Sequence, residues 1–101
     1  MHMLSRRECL IMSAKDKDLD EVIREVTTFL SKANIPEGYT VKVYKDTAAC
    51  CAPIPVGIIV EIEGPKEQTV RELDLKVHAE IAEICGRMGI EYPEHKQFNI
   101  V

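Results

Sequence analysis

The chain has no tryptophan, and aromatic residues make up only 5% of it. Clustered basic charge is scarce as well: 13 Lys and Arg stand against 17 Asp and Glu, a formal net charge of -4, and the only basic pair is Arg6-Arg7. That balance argues against nucleic acid and anionic membranes as partners, since both are held mainly by grouped Lys and Arg. No apolar run approaches the roughly 18 residues that a membrane-crossing helix needs. The first residues also lack the apolar core and small-residue cleavage site of a secretory leader, so the expected compartment is the cytoplasm. No catalytic, nucleotide-binding or nucleic-acid-binding motif is present, and there are no internal repeats, low-complexity segments or linkers. An enzyme is therefore the less expected reading.

What is present fits one domain spanning 1–101, with Met1 to Leu4 expected to lie outside the fold. The chain has 101 residues and is 46% hydrophobic with mixed charge, and a domain of this size buries roughly 65% of its unfolded surface. Its most unusual stretch is Thr47 to Val60, TAACCAPIPVGIIV, which carries no charge in a chain where 30% of residues are charged. A small, apolar loop with two cysteines and two prolines is not ordinary solvated surface. It reads as a contact surface or a site.

Glu8 to Ala14 is a short apolar run that suits a buried strand. Asp18, with Glu21 three residues on, has the acidic form of a capping box and is expected to open a helix. The apolar residues Leu19, Val22, Ile23, Val26, Phe29, Leu30 and Ala33 fall on one helical face, and Ile35-Pro36 ends the pattern. Tyr39 to Lys45 alternates at period two, as do Val56 to Glu63, so each predicts a strand with one buried face. Gly64-Pro65 breaks the second of these and starts a helix expected over Pro65 to Met88, with a core stripe of Val70, Leu73, Val77, Ile81, Ile84 and Met88. Gly89 is its left-handed cap. Glu94 to Val101 is the last strand. The order βαββαβ specifies an α+β, ferredoxin-like two-layer sandwich: a four-stranded antiparallel sheet with both helices on one face.

That topology gathers the loops after the first two strands at one end of the sheet, near the end of the second helix. Cys50, Cys51 and Cys85 are thereby expected to approach His95 and the Asp16/Asp18 pair, while Cys9 is expected at the opposite end. Cys50, Cys51, Cys85 and His95 form the candidate ligand-binding or thiol site and the candidate metal ligands. Soft thiolates would select zinc or another thiophilic metal. Vicinal cysteines do not have the spacing of structural zinc sites, and a bridge between them would be strained. Packing is the competing account of all three thiols, because unbridged cysteine is among the most buried residue types. Asp16 and Asp18 read as helix-capping residues, His95 as a solvated strand residue, and His78, beside the core stripe, as a partly buried structural histidine.

Two surfaces are candidates for an oligomer interface. The second helix carries Leu75, Ala79, Ala82 and Gly86 opposite its core stripe, and small residues at that spacing let another helix approach closely. The sheet face away from the helices should present Tyr44 and Ile59 among Thr40, Lys42, Glu61, Gln97 and Asn99. RNA recognition would want aromatics on the two central strands, and strands one and three have none. The functional expectation is a small homodimeric binding or assembly domain without catalytic chemistry, whose 47–55 loop meets a protein or small-molecule partner. The alternative is a cysteine-based metal-binding or thiol-redox protein built on Cys50-Cys51.

Overall fold

A computed structural model describes residues 3–12, 14–46, 57–92 and 96–100. The elements are β1 (Leu4–Ile11), α1 (Asp16–Lys32), β2 (Thr40–Asp46), β3 (Gly57–Gly64), α2 (Glu67–Met88) and β4 (Lys96–Ile100). The strands form one antiparallel sheet in the order β2-β3-β1-β4. Register decides which side chains share a face, because residues directly opposite one another point the same way. Val43 lies opposite Val60, Val60 opposite Glu8, and Glu8 opposite Phe98. One face therefore carries Val41, Val43, Ile58, Val60, Ile62, Leu10, Glu8 and Arg6, and the other carries Tyr44, Ile59 and Cys9 in a single row.

Leu10, Ile58, Val60 and Ile62 of the first face are fully or almost fully buried, against Leu19, Val22 and Val26 of α1 and Val70, Leu73, Val77, Ile81 and Ile84 of α2. The 3.6-residue period of both helices and the two-residue period of β3 thus converge on one apolar layer, which supplies most of the stabilisation. Gly89 ends α2 at φ 73°, and the Ile90 N–H closes onto the Cys85 carbonyl at 2.8 Å. Only a residue tolerant of positive φ sits there without strain.

Several boundaries differ from those expected. β1 begins at Leu4, paired with Gly64, so Leu4 belongs to the sheet and Arg6-Arg7 are strand residues. The earlier start also moves Cys9: it pairs with Ile59, two residues short of the Ile11–Gly57 end, and so lies toward the end that the 47–56 segment leaves from. α1 starts at Asp16 with Lys15 at the cap and no side-chain cap hydrogen bond. Glu21 pairs with Arg24 instead of reaching back to Asp18. α2 begins at Glu67, two residues after Pro65, because the backbone at Lys66 is still extended. No helix among the described residues is long and apolar enough to cross a membrane.

Candidate functional site

In β1 the residues facing the helices are Leu4, Arg6, Glu8 and Leu10, and Met12, buried just past the strand, continues the series. Glu8 thus points into the interior, and its side chain is fully buried. A carboxylate in such a place needs charged or hydrogen-bonding partners, since burying it alone would cost many kcal/mol. α2 provides them. Asp74 and His78 stand four residues apart, one helical turn, on the flank of the core stripe that meets β1. They retain 5% and 7% exposure.

His78 Nε2 is 2.5 Å from Glu8 Oε2 and 3.1 Å from Asp74 Oδ1. Arg6, two residues before Glu8 on the same face, contacts the outer oxygens of both acids: Nε is 2.9 Å from Glu8 Oε1, and Nη2 is 3.4 Å from Asp74 Oδ2. On the other side of the ring, His78 Nδ1 meets the Tyr92 hydroxyl at 2.5 Å, and the two rings stand edge to face. A single N–H on Nε2 cannot serve two acceptors well. It is directed at Glu8, and Asp74 Oδ1 is left buried without a hydrogen-bond partner.

Two basic side chains face two acids, and the protonation tendencies of His78 and Asp74 follow. Burial pushes the His78 imidazole down, but Asp74 and Glu8, by contact and by charge, outweigh it and hold the ring above its ordinary 6.5. Burial likewise pushes Asp74 up, and here the close approach of His78 and the charges of His78 and Arg6 hold it below its ordinary 3.8. Tyr92 is pushed up to about 12 by burial and by the neighbouring Glu8, Asp74 and Cys85, so it remains a neutral phenol at any ordinary pH.

Linkage turns these directions into a stability profile. The raised His78 contributes stability that is complete below pH 6.5 and is lost as pH rises through its folded value. The lowered Asp74 contributes stability that is present above pH 3.8 and is lost as pH falls through its folded value. The cluster therefore stabilises most between those limits. Urea midpoints measured across the neutral range should fall on the alkaline side, and His78→Gln should flatten that limb. An alkaline limb equally steep in His78→Gln would show that His78 does not carry it.

Of the residues singled out from the sequence, Cys85, Asp18, His78 and the α2 stripe are among those described. Cys85 is fully buried in the core cluster, and burial pushes its thiol up, which opposes the thiolate that a ligand or nucleophile must be. Asp18 is half-buried in the first turn of α1. Cys50, Cys51 and His95 lie outside the described residues. Leu75 is 70% exposed, Ala79 and Gly86 are exposed and Ala82 is half-buried. His78, expected to be partly buried, is instead the hub of the polar cluster. Glu8 and Asp74 were not singled out, although the one-turn spacing of Asp74 and His78 was a legible signal.

No family model matches the sequence, and no curated protein matches it. Solved structures do. A dimeric ferredoxin-like protein of unknown function from Jannaschia sp. CCS1 superposes with a TM-score of 0.64 at 9% identity, over 99% of this chain and 98% of that one. A dimeric protein of unknown function from Bacteroides fragilis gives 0.63 at 9% identity, over 98% and 94%. A Dabb family protein from Mesorhizobium loti gives 0.60 at 10% identity, over 100% and 96%. At such identities the likeness establishes the architecture alone: the fold is ferredoxin-like.

Proposed function

We propose that the protein is a homodimeric binding or assembly domain of the cytoplasm that associates through the helix-free face of its sheet. The observation that carries this reading is the row Tyr44, Ile59, Cys9 and Gln97, in register across all four strands on a face that no helix among the described residues covers. Tyr44 and Cys9 are half-buried on this face, and Ile59 between them is already buried within one chain, so Tyr44 and Cys9 offer the surface left to a partner. The next row, Lys42, Glu61, Arg7 and Asn99, is polar and internally tied: the Tyr44 hydroxyl donates to Glu61 Oε1, and Arg7 Nε lies 3.4 Å from the same oxygen. An apolar row flanked by paired charges is the pattern of an interface core with its rim. The dimeric state of the two structural neighbours from Jannaschia and Bacteroides supports the same reading.

Sedimentation at micromolar concentration should give a dimer. Tyr44→Lys, checked by circular dichroism to be folded, should shift it to monomer, while Leu75→Lys on the α2 stripe should leave it intact. A monomeric wild type sinks the proposal. Dissociation by Leu75→Lys alone would move the interface to α2.

A further inference from the structure

We infer that Glu8, Asp74 and His78 form a binding site for one divalent transition-metal cation. Among the described residues these three each offer one ligand atom, and the atoms all lie within 4.8 Å of one another. Donors bound to one ion at about 2.0–2.2 Å stand roughly 3 Å apart, close to the 3.1 Å between His78 Nε2 and Asp74 Oδ1, whereas Glu8 Oε2, now 2.5 Å from Nε2, must draw back as the ion replaces the proton between them. All three residues are buried. The second sign is Asp74 Oδ1: a buried anionic oxygen that makes no hydrogen bond and whose close approach is the ion-pair contact of His78 Nε2 at 3.1 Å. A cation in that space would satisfy it.

The outer partners are arranged accordingly. Arg6 engages Oε1 of Glu8 and Oδ2 of Asp74, which fixes both carboxylates by their far oxygens and leaves the near ones turned to His78. The Tyr92 hydroxyl lies against Nδ1; with Nδ1–H donating to it, Nε2 is the nitrogen free to ligate, as the second ring nitrogen of a metal-bound histidine is ordinarily held. Binding displaces the proton on Nε2 to solvent, so one positive charge leaves as two arrive. One imidazole with two carboxylates suits Zn, Co, Mn or Fe(II) better than a soft cuprous ion or calcium. The dimer plays no part in this inference.

Titration of tag-free, reduced wild-type protein with Co2+ at slightly alkaline pH tests it. The expected result is one equivalent bound, with visible d–d bands, no thiolate-to-cobalt absorption in the near ultraviolet, and displacement by Zn2+. Asp74→Asn, which keeps the side-chain shape, should weaken binding at least tenfold in folded protein, and His78→Gln should do the same. Failure of the folded wild type to bind one equivalent overturns the site. So does unchanged affinity in Asp74→Asn, or a thiolate band that disappears in the Cys50→Ser/Cys51→Ser variant. Should His78→Gln fail to fold, the wild type and Asp74→Asn decide the matter.

Discussion

Glu8→Ala is expected to destabilise the protein by about 3–5 kcal/mol, the cost of breaking a buried ion pair by removing one partner. The side chain is fully buried, and its oxygens face Arg6 Nε and His78 Nε2. Truncation leaves an imidazole in the interior with Asp74 as its remaining carboxylate partner, an Arg6 guanidinium with one acid instead of two, and a cavity beside Val60. Glu8→Gln keeps the volume and an acceptor oxygen, so it should cost less, about 1–3 kcal/mol for the lost charge-assisted bonds.

The contrast that interprets the number is a variant in which Arg6, Glu8, Asp74 and His78 are all replaced by apolar residues of similar volume. Such replacements of buried ionic clusters are often neutral or stabilising by about 1–4 kcal/mol. Here the quadruple variant should be more stable than Glu8→Ala. With that order, stability does not explain the polar centre, which is the energetic reason to look for a ligand there. Urea denaturation of the three variants checks the order. If the quadruple variant were the least stable, the cluster would be holding α2 against the sheet, and its burial would need no ligand to account for it.

Much of the architecture was legible because the periods were clean. Val41 and Val43 alternate with Lys42 and Tyr44, Ile58, Val60 and Ile62 alternate along β3, and the stripes of α1 and α2 each recur at three and four residues. β1 was harder. Its interior-facing series, Leu4, Arg6, Glu8, Leu10 and Met12, mixes charge with apolar side chains, so a reading by hydrophobicity starts the strand at Glu8 and leaves Arg6 outside. Pairing with Gly64 and Ile62, rather than local pattern, brings those residues into the sheet. The candidate site was missed for the same reason. Glu8 and His78 are 70 residues apart in sequence, and only the packing of α2 over β1 shows that each is the other's partner. The uncharged cysteine run drew attention because it is unusual in composition, whereas the buried acids are ordinary residues in an unusual place.

The same long-range logic makes Gly64→Ala expensive at a position where local pattern suggests only a strand end. A Cβ built on Gly64 would lie 1.9 Å from Cδ2 and 2.1 Å from Cε2 of Tyr39, far inside any tolerable contact, so the ring must leave. Tyr39 packs against the core cluster, and its hydroxyl accepts the Lys66 N–H at 3.2 Å. Lys66 is the cap residue of α2 and makes no side-chain cap bond. Displacing the ring therefore costs packing and a hydrogen bond at the start of α2 together, about 1–3 kcal/mol and toward the upper end of that range for an overpacked site. Because the damage passes through one ring, it should not add to the damage of removing that ring. Tyr39→Ala in the Gly64→Ala background should cost less than Tyr39→Ala alone, with a coupling of about 0.5–3 kcal/mol in the favourable direction. A double-mutant cycle by urea denaturation reads the coupling directly; strict additivity would mean that Gly64 is required for backbone freedom rather than for the close approach of Tyr39.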